Sequence, residues 1–287
     1  MTGSMSRRRL LQASGVLGVG LAASACGAVA PQGGPAGVAI DMSDTDKSVN
    51  WSNWPLYLDV DEKTKDYPTL TAFEKQTGIT VTYTEDVNDN NEFFAKVRTQ
   101  LEQGQDIGRD LVVLTDWMAA LWIQDGFAQK LDKANIPNAV NLLPKWQDVS
   151  FDPGREYSLP WQSGFGLLGW NIAKLKDTLG ISALNSVDQL WDPKLKGRVT
   201  VLSEMRDTMG ILIAAQGDNP SSFTEDQWNK AIATLTTQVD NGQIRQVTGN
   251  DYAGALESGD VIAVIGWSGD MIQLGSDFGI ALPESGG

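Results

Sequence analysis

From Val49 onward, the sequence alternates short apolar runs with amphipathic stretches of helical period. ITVTYTEDV has the period of two that is typical of a strand. DNNEFFAKVRTQLEQG combines a polar start, a helical face and a glycine stop, and RDLVVLTDW is typical of a buried strand. Strands and helices that follow one another in this way favour a largely parallel sheet with helices on its faces. The fold class that we expect is therefore α/β.

A second series of strands and helices follows the extended, glycine-bearing stretch SLPWQSGFGLLGWN. In this series RVTVLSEMRDTMGILIAA predicts a strand, a loop and a helix, and VIAVIGWSGD predicts a buried strand that ends in a tryptophan and a carboxylate. At 287 residues the chain is long enough for two domains. We therefore expect a first lobe at residues 49–164 and a second lobe at residues 165–266, with crossover strands between them.

Residues 1–25 predict an export signal, because a basic cluster at Arg7, Arg8 and Arg9 precedes a short apolar stretch and small residues. The apolar stretch is shorter than the ~20 apolar residues of a membrane-spanning helix. Cys26, the only cysteine of the chain, stands where the signal ends and predicts a lipid attachment point. A plain signal peptide with an incidental cysteine is the alternative. Residues 26–48, rich in Gly, Ala and Pro, predict a flexible tether behind this anchor.

The charge and the missing residue types exclude several functions. The formal net charge is −14 at pH 7, so nucleic acid is not an expected partner, whereas the same field attracts cations. The chain has no histidine, which removes the usual general base of hydrolytic triads and the commonest metal ligand. We expect no cofactor and no metal. A glycosidase that works with carboxylates alone remains the enzyme alternative.

Four predicted strand ends place aromatic side chains beside acids or hydroxyls. The candidate ligand-binding residues are Trp51, Ser52, Trp54, Thr115, Trp117, Glu204, Asp207, Trp267 and Asp270. Aromatic faces attract a cation and pack against methylene groups, and carboxylates neutralise charged ends, so this mixture suits an organic ammonium ion. Taken singly, each tryptophan is explained by core packing and each acid by helix capping. The coincidence of four strand ends favours a binding site, because ligands of open α/β sheets bind at the carboxyl ends of the strands.

Several sequence segments resemble those of the spermidine/putrescine-binding proteins that feed bacterial ABC importers, and the resemblance extends from about Val49 to the end of the chain. The segments are NWSNW, FEKQTGITVTY, DLVVLTDW, FDPGREYSLPW, LWDPKLKGRV and IGWSGD. The resemblance implies a two-lobed, periplasmic-binding-protein-like clamp of type II that captures a polyamine and is not an enzyme. Its implied partners are an ABC permease with a separate ATPase. Its implied location is the periplasm or the outer face of the cytoplasmic membrane, held there by a lipid anchor.

The resemblance also assigns the nine candidate residues to the cleft. Trp54 and Trp117 stand where tyrosine is usual in the family, and the larger indoles are expected to narrow the slot. Family members continue beyond the position of Gly287, so we expect a truncated chain in which residues 267–287 begin to return towards the first lobe. Another organic cation as the ligand and a secreted glycosidase remain the alternatives.

Overall fold

The computed structural model describes residues 42–284, which form two β-sheets with helices around them. The export signal, Cys26 and the tether as far as residue 41 lie outside the described residues. The first sheet has the strand order β2-β1-β3, and both of its strand pairs are parallel. We call this sheet and the helices that accompany it the first lobe. Its elements are β1 (Ser48–Asn53), α1 (Pro68–Thr77), β2 (Thr80–Glu85), α2 (Asn90–Glu102), β3 (Leu111–Val112), α3 (Asp116–Gln124) and α4 (Pro144–Gln147).

The second sheet has five strands in the order β6-β5-β7-β4-β8. Its elements, the second lobe, are β4 (Gly166–Asn171), α5 (Ile172–Leu179), β5 (Val199–Leu202), α6 (Met205–Ala215), α7 (Glu225–Asp240), β6 (Ile244–Thr248), α8 (Tyr252–Ser258), β7 (Ala263–Trp267), α9 (Ser268–Leu274) and β8 (Phe278–Ala281). β5 runs parallel to β6 and β7, whereas β4 runs antiparallel to β7 and β8. Short 3-10 helices lie at Lys133–Asn135, Pro137–Asn141, Val187–Trp191 and Pro193–Leu195.

The helix boundaries follow from local signals in the sequence. α1 carries Pro68 in its first turn and ends at Gly78, whose φ of 73° is the left-handed conformation that glycine adopts without strain. The Asp89 side chain caps α2 by accepting a hydrogen bond from the Glu92 backbone amide, and Thr224 and Gln227 form a capping box at the start of α7. None of the described helices has the length and apolar character to cross a membrane.

The two lobes differ in how much apolar side chain they bury. In the second lobe the strands β4, β5 and β7 are almost continuously buried and pack with α6 and α8 into one large core. The core of the first lobe comprises Trp54, Val87, Phe93, Met118 and Trp122. α1 contributes no buried residue to it. The sequence RDLVVLTDW, expected to be a buried strand, pairs over two residues only, and Leu111 is 51% exposed.

The segment after β7 differs from the expectation. Residues 267–287 were expected to turn back towards the first lobe, but α9 follows β7 directly and β8 pairs antiparallel with β4 at the edge of the second sheet. Gly279 makes this pairing feasible, because a Cβ atom there would come within 2.1 Å of the Trp170 ring. The apolar FGIA stretch therefore extends the second sheet as far as Ala281.

Candidate functional site

The candidate site lies where loops and helix starts at the carboxyl ends of β1, β3, β5 and β7 meet between the lobes. These strand ends are followed by Trp54, by Trp117 in α3, by Glu204 before α6 and by Asp270 in α9. Hydrogen bonds and ring contacts between the two lobes join these segments. The arrangement matches the rule that open α/β sheets bind ligands at the carboxyl ends of their strands.

Glu204 connects the two lobes through one carboxylate oxygen. Its Oε2 accepts hydrogen bonds from Asn90 Nδ2 and from Trp117 Nε1, each at 2.9 Å, and both donors belong to the first lobe. Glu204 is only 5% exposed, and its Oε1 is buried without a hydrogen-bond partner among the described residues. Burial raises the pKa of this carboxyl group, and the negative charge of Asp207 raises it further. The side chain makes no capping hydrogen bond to α6.

Asp207 lies in the first turn of α6 and is joined to the end of β7. Its Oδ2 accepts a hydrogen bond of 2.8 Å from Trp267 Nε1. Gly166 at the start of β4 leaves room for this carboxylate, since a Cβ atom there would lie 3.2 Å from Asp207 Oδ1. Burial raises the pKa of Asp207, whereas the indole hydrogen bond lowers it.

Asp270 is the most buried of the three acids, at 3% exposure. Its Oδ2 accepts hydrogen bonds from Asn250 Nδ2 at 2.7 Å and from the Tyr252 hydroxyl at 2.8 Å. The same hydroxyl accepts a bond from the Trp267 backbone amide, and Gly266 allows the close approach because a Cβ atom there would lie 2.8 Å from the Tyr252 ring. Burial raises the pKa of Asp270 to about 6.

Two indoles form an aromatic contact across the cleft. Trp54 is buried and donates its Nε1 to the Val113 carbonyl at 3.0 Å, which fixes its ring at the end of the first sheet. Its ring meets Trp267 of the second lobe edge to face, with ring centroids 5.7 Å apart and planes at 81°. The Tyr57 ring is tilted by 30° against the Trp54 ring, with ring centroids 6.3 Å apart. Apolar ring surface therefore adjoins Asp207, whose partner is the same Trp267 indole.

Three of the candidate residues lie farther from the acids. Thr115 is exposed and reaches Glu204 only through Asn90, whose Nδ2 lies 2.7 Å from Thr115 Oγ1. Trp51 packs against Tyr83 and Trp161, and Ser52 accepts a hydrogen bond from Arg109. Consecutive strand residues point to opposite faces, so Trp51 and Ser52 cannot share one wall. Among the described residues, no hydrogen bond or ring contact joins either of them to the three acids.

The sequence did not single out Asn90, Asn250, Tyr252 or Arg206 as site residues. Asn90 stands at the polar start of a helix, a pattern that exposed helices share. Its side chain is only 1% exposed, and this burial results from tertiary packing. Asn250 and Tyr252 belong to a different loop and helix from Asp270, so no local pattern connected them. Arg206 places its guanidinium carbon 5.2 Å from the centroid of the Trp117 ring.

The three acids lack a cationic partner in the described part of the chain. None of the ion pairs within residues 42–284 includes Glu204, Asp207 or Asp270. A buried carboxylate without a countercharge is unfavourable, and this cost is what raises the three pKa values. The same residues contain no group of three metal-ligating side chains suited to a metal ion. The arrangement is chemically fitted to receive one or more ammonium groups beside aromatic surface.

Comparison with known proteins gives one family and several relatives. The profile of the bacterial extracellular solute-binding proteins matches residues 68–286. The putrescine-binding periplasmic protein PotF of Escherichia coli K12 is 30% identical over 235 residues, which is 79% of this chain and 60% of that protein. The spermidine/putrescine-binding periplasmic protein of the same organism is 25% identical over 254 residues, covering 88% of this chain and 68% of that protein. This chain thus spans about two thirds or less of these relatives.

Among solved structures, a putative spermidine/putrescine ABC transporter from Listeria monocytogenes superposes on this chain with a TM-score of 0.66 at 22% identity. The superposition covers 84% of this chain and 69% of that chain. The likeness shows that the fold is shared. It confirms the expected two-lobed α/β fold class.

Proposed function

Because this chain belongs to the bacterial extracellular solute-binding proteins, we propose that it captures a polyamine of the putrescine and spermidine class in the cleft between its lobes. The observation that carries this proposal is the group of three acids, Glu204, Asp207 and Asp270, which have no cationic partner among the described residues and adjoin the indoles of Trp117 and Trp267. The relatives named above for putrescine and spermidine support the same ligand class.

The cleft chemistry suits a chain of methylenes with charged ends. An ammonium group next to Glu204 supplies the hydrogen bond and the positive charge that the described residues do not offer to its Oε1 and its carboxylate. The methylenes pack against the indole faces. All three acids belong to the second lobe, and most of the aromatic surface belongs to the first. A ligand that touches both therefore favours the closed arrangement of the lobes, because it gains these contacts only there.

We propose that the loaded protein delivers its ligand to an ABC permease driven by a separate ATPase, and that it performs no catalysis itself. We further propose an exported, lipid-anchored protein with the lipid on Cys26. Mass spectrometry of membrane-extracted protein is expected to find acyl chains on that cysteine, and Cys26→Ser is expected to release the protein from the membrane. Membrane-bound Cys26→Ser protein would contradict the anchor and leave the ligand proposal untouched.

Calorimetry tests the ligand. Titration of ligand-free protein with putrescine and with spermidine is expected to give saturable heat at one site. Butanediol, which has the carbon chain of putrescine without its charges, is the matched control and is expected to give none, since hydroxyl groups cannot neutralise the acids. Incubation with glycans should yield no reducing sugar. Hydrolysis of a glycan without amine binding would support the glycosidase alternative and overturn the proposal.

A further inference from the structure

Arg206 is a positive charge placed between two of the acids in the sequence and over one of the indoles in space. It occupies the second position of α6, two residues after Glu204 and one before Asp207. Its guanidinium carbon lies 5.2 Å from the centroid of the Trp117 ring, which belongs to the other lobe. Within residues 42–284 it forms no ion pair with an acid. Its charge therefore acts on whatever approaches this face of Trp117.

That face of Trp117 opens onto a cavity of about 320 Å³, which we call the Trp117 chamber. Its lining residues are Thr115, Asp116, Trp117, Ala120, Phe151 and Arg206. The charged side chains of the lining, Asp116 and Arg206, carry opposite signs, so the chamber offers no net attraction to a cation. The cleft differs, because its three acids have no cationic partner within residues 42–284. An ammonium group is stabilised in the cleft but not in the chamber.

Trp117 connects Glu204 to the chamber, because its indole donates to Glu204 Oε2 at 2.9 Å and its ring lines the chamber. An amine bound to Glu204 that extended along the Trp117 ring would meet the Arg206 guanidinium. Putrescine has two ammonium groups and no arm beyond the second. Spermidine carries an additional aminopropyl arm with a third ammonium group, and this group would face a like charge over a ring that Arg206 already covers.

We propose that Arg206 is a specificity-determining residue that makes the cleft select diamines over triamines. This inference rests on the proposed polyamine function and narrows it to one class of amine. Arg206 acts by occupying one face of Trp117 and by offsetting the charge of Asp116 in the lining, so that a third ammonium group finds neither a free Trp117 face nor a net negative charge. Specificity of this kind comes from a repulsive element as much as from the contacts to the preferred ligand.

The test compares the ratio of the putrescine and spermidine dissociation constants in the parent protein and in variants. The parent is expected to bind putrescine more tightly. Arg206→Gln removes the positive charge and is expected to shift the ratio towards spermidine by about tenfold or more, because Asp116 and the uncovered Trp117 ring then attract a cation. The Phe151 ring of the lining keeps Arg155 over it, at 5.7 Å, in both proteins. Arg206→Lys keeps a charge at the position and is expected to keep the parent's preference for the diamine.

Two further variants separate this role from a general charge effect. Arg245→Gln removes an exposed positive charge from β6 and is expected to leave the ratio unchanged. Asp116→Asn combined with Arg206→Gln is expected to reverse most of the gain for spermidine. A parent that prefers spermidine, or an Arg206→Gln variant that changes both affinities by the same factor, overturns the inference while the polyamine function stands. A parent that binds neither amine overturns both.

Discussion

At the scale of single residues, Asp270 gives the sharpest test of the site, because it is the most buried of the three site acids and lacks a countercharge among the described residues. Asp270→Asn keeps an oxygen that can accept from Asn250 and Tyr252, so the variant is expected to fold. It is expected to weaken putrescine binding by about 2 to 5 kcal/mol, the usual loss when one side of a buried charge pair is removed. Calorimetry measures the change.

The matched control for this variant is Asp277→Asn, which removes one exposed acid from the same lobe and the same amount of charge. It is expected to leave the putrescine affinity close to that of the parent. Equal affinities for Asp270→Asn and Asp277→Asn would place the ligand away from Asp270.

The raised pKa of Asp270 predicts opposite effects of pH on stability and on binding. Burial raises this pKa from an ordinary value of about 3.9 to about 6. Between these values the folded protein binds more protons than the unfolded chain, so the free energy of unfolding of the ligand-free protein falls as pH rises, by up to about 3 kcal/mol from this group. An ammonium ligand binds the ionised form, so its affinity rises over the same range.

The difference between the parent and Asp270→Asn isolates the effect of Asp270 on stability. Other acids act in the opposite direction, such as Glu156, whose pKa is lowered by Lys133. Denaturant unfolding and calorimetry at pH 4, 5, 6 and 7.5 are done on the parent and on Asp270→Asn. The difference in unfolding free energy is expected to decline with rising pH, and the difference in binding free energy to grow. A stability difference that is flat across this range would show that folding does not raise the pKa of Asp270.

The residue scale also shows why part of the site was predictable. Trp54, Glu204 and Asp270 follow apolar runs, and the end of a buried strand fixes where its next residues lie. Tyr252 was beyond reach, because its position depends on the close approach of its ring to Gly266 in another element. Ser52 was expected in the cleft, but its hydroxyl accepts from Arg109, whose partner Asp86 follows a different strand. Such pairings are set by tertiary packing and leave no local pattern.

At the scale of elements, the loop after β2 and the loop after β6 form a polar contact between the lobes. The Asn88 carbonyl accepts from the Asn250 amide at 3.0 Å, and Asn88 Oδ1 accepts from the Asp251 amide at 3.1 Å. Gly249 makes this approach feasible, since a Cβ atom there would lie 2.1 Å from the Asn88 carbonyl oxygen. Asn250 also holds Asp270, so this contact connects the lobe interface to the binding acids.

Gly249→Ala is therefore expected to push the two loops apart without touching the ligand. The overpacking is expected to cost the closed arrangement about 1 to 3 kcal/mol and to weaken putrescine binding accordingly. Calorimetry measures the affinity, and small-angle scattering measures the opening. Gly254→Ala, where the added Cβ meets nothing within 4 Å, is the control. Parent-like affinity and dimensions in Gly249→Ala would show that the loops do not hold the lobes together.

The elements themselves were predictable where the pattern was long and bounded by caps, as in α2, which DNNEFFAKVRTQLEQG predicts. β3 was expected from RDLVVLTDW as a buried strand, but it pairs only with β1, so apolar character alone did not give it a buried environment. The position of β8 also depended on a partner, because its FGIA sequence joins the second sheet through Gly279 under Trp170. Strand pairing is a property of two segments, and a single segment predicts only its own period.

At the scale of the whole molecule, the two lobes differ in how many apolar side chains of the described residues they bury. The core of the first lobe has five buried residues and that of the second has twenty-five. Since burial of apolar surface is the main favourable term in folding, the first lobe should open locally at a lower free energy than the second. The two lobes nevertheless touch through Glu204 and Trp117 and through the Trp54–Trp267 pair, which a ligand would reinforce.

Hydrogen exchange measures this difference directly. Without ligand, amides of β1 and β2 are expected to exchange faster than amides of β5 and β7. Putrescine is expected to slow exchange more in the first lobe, because it ties the weaker unit to the stronger one and stabilises the folded state by mass action. Butanediol serves as the uncharged control. Equal protection of the two sheets without ligand would contradict the inequality of the cores, and protection confined to the second lobe on adding putrescine would show that the amine does not bridge the cleft.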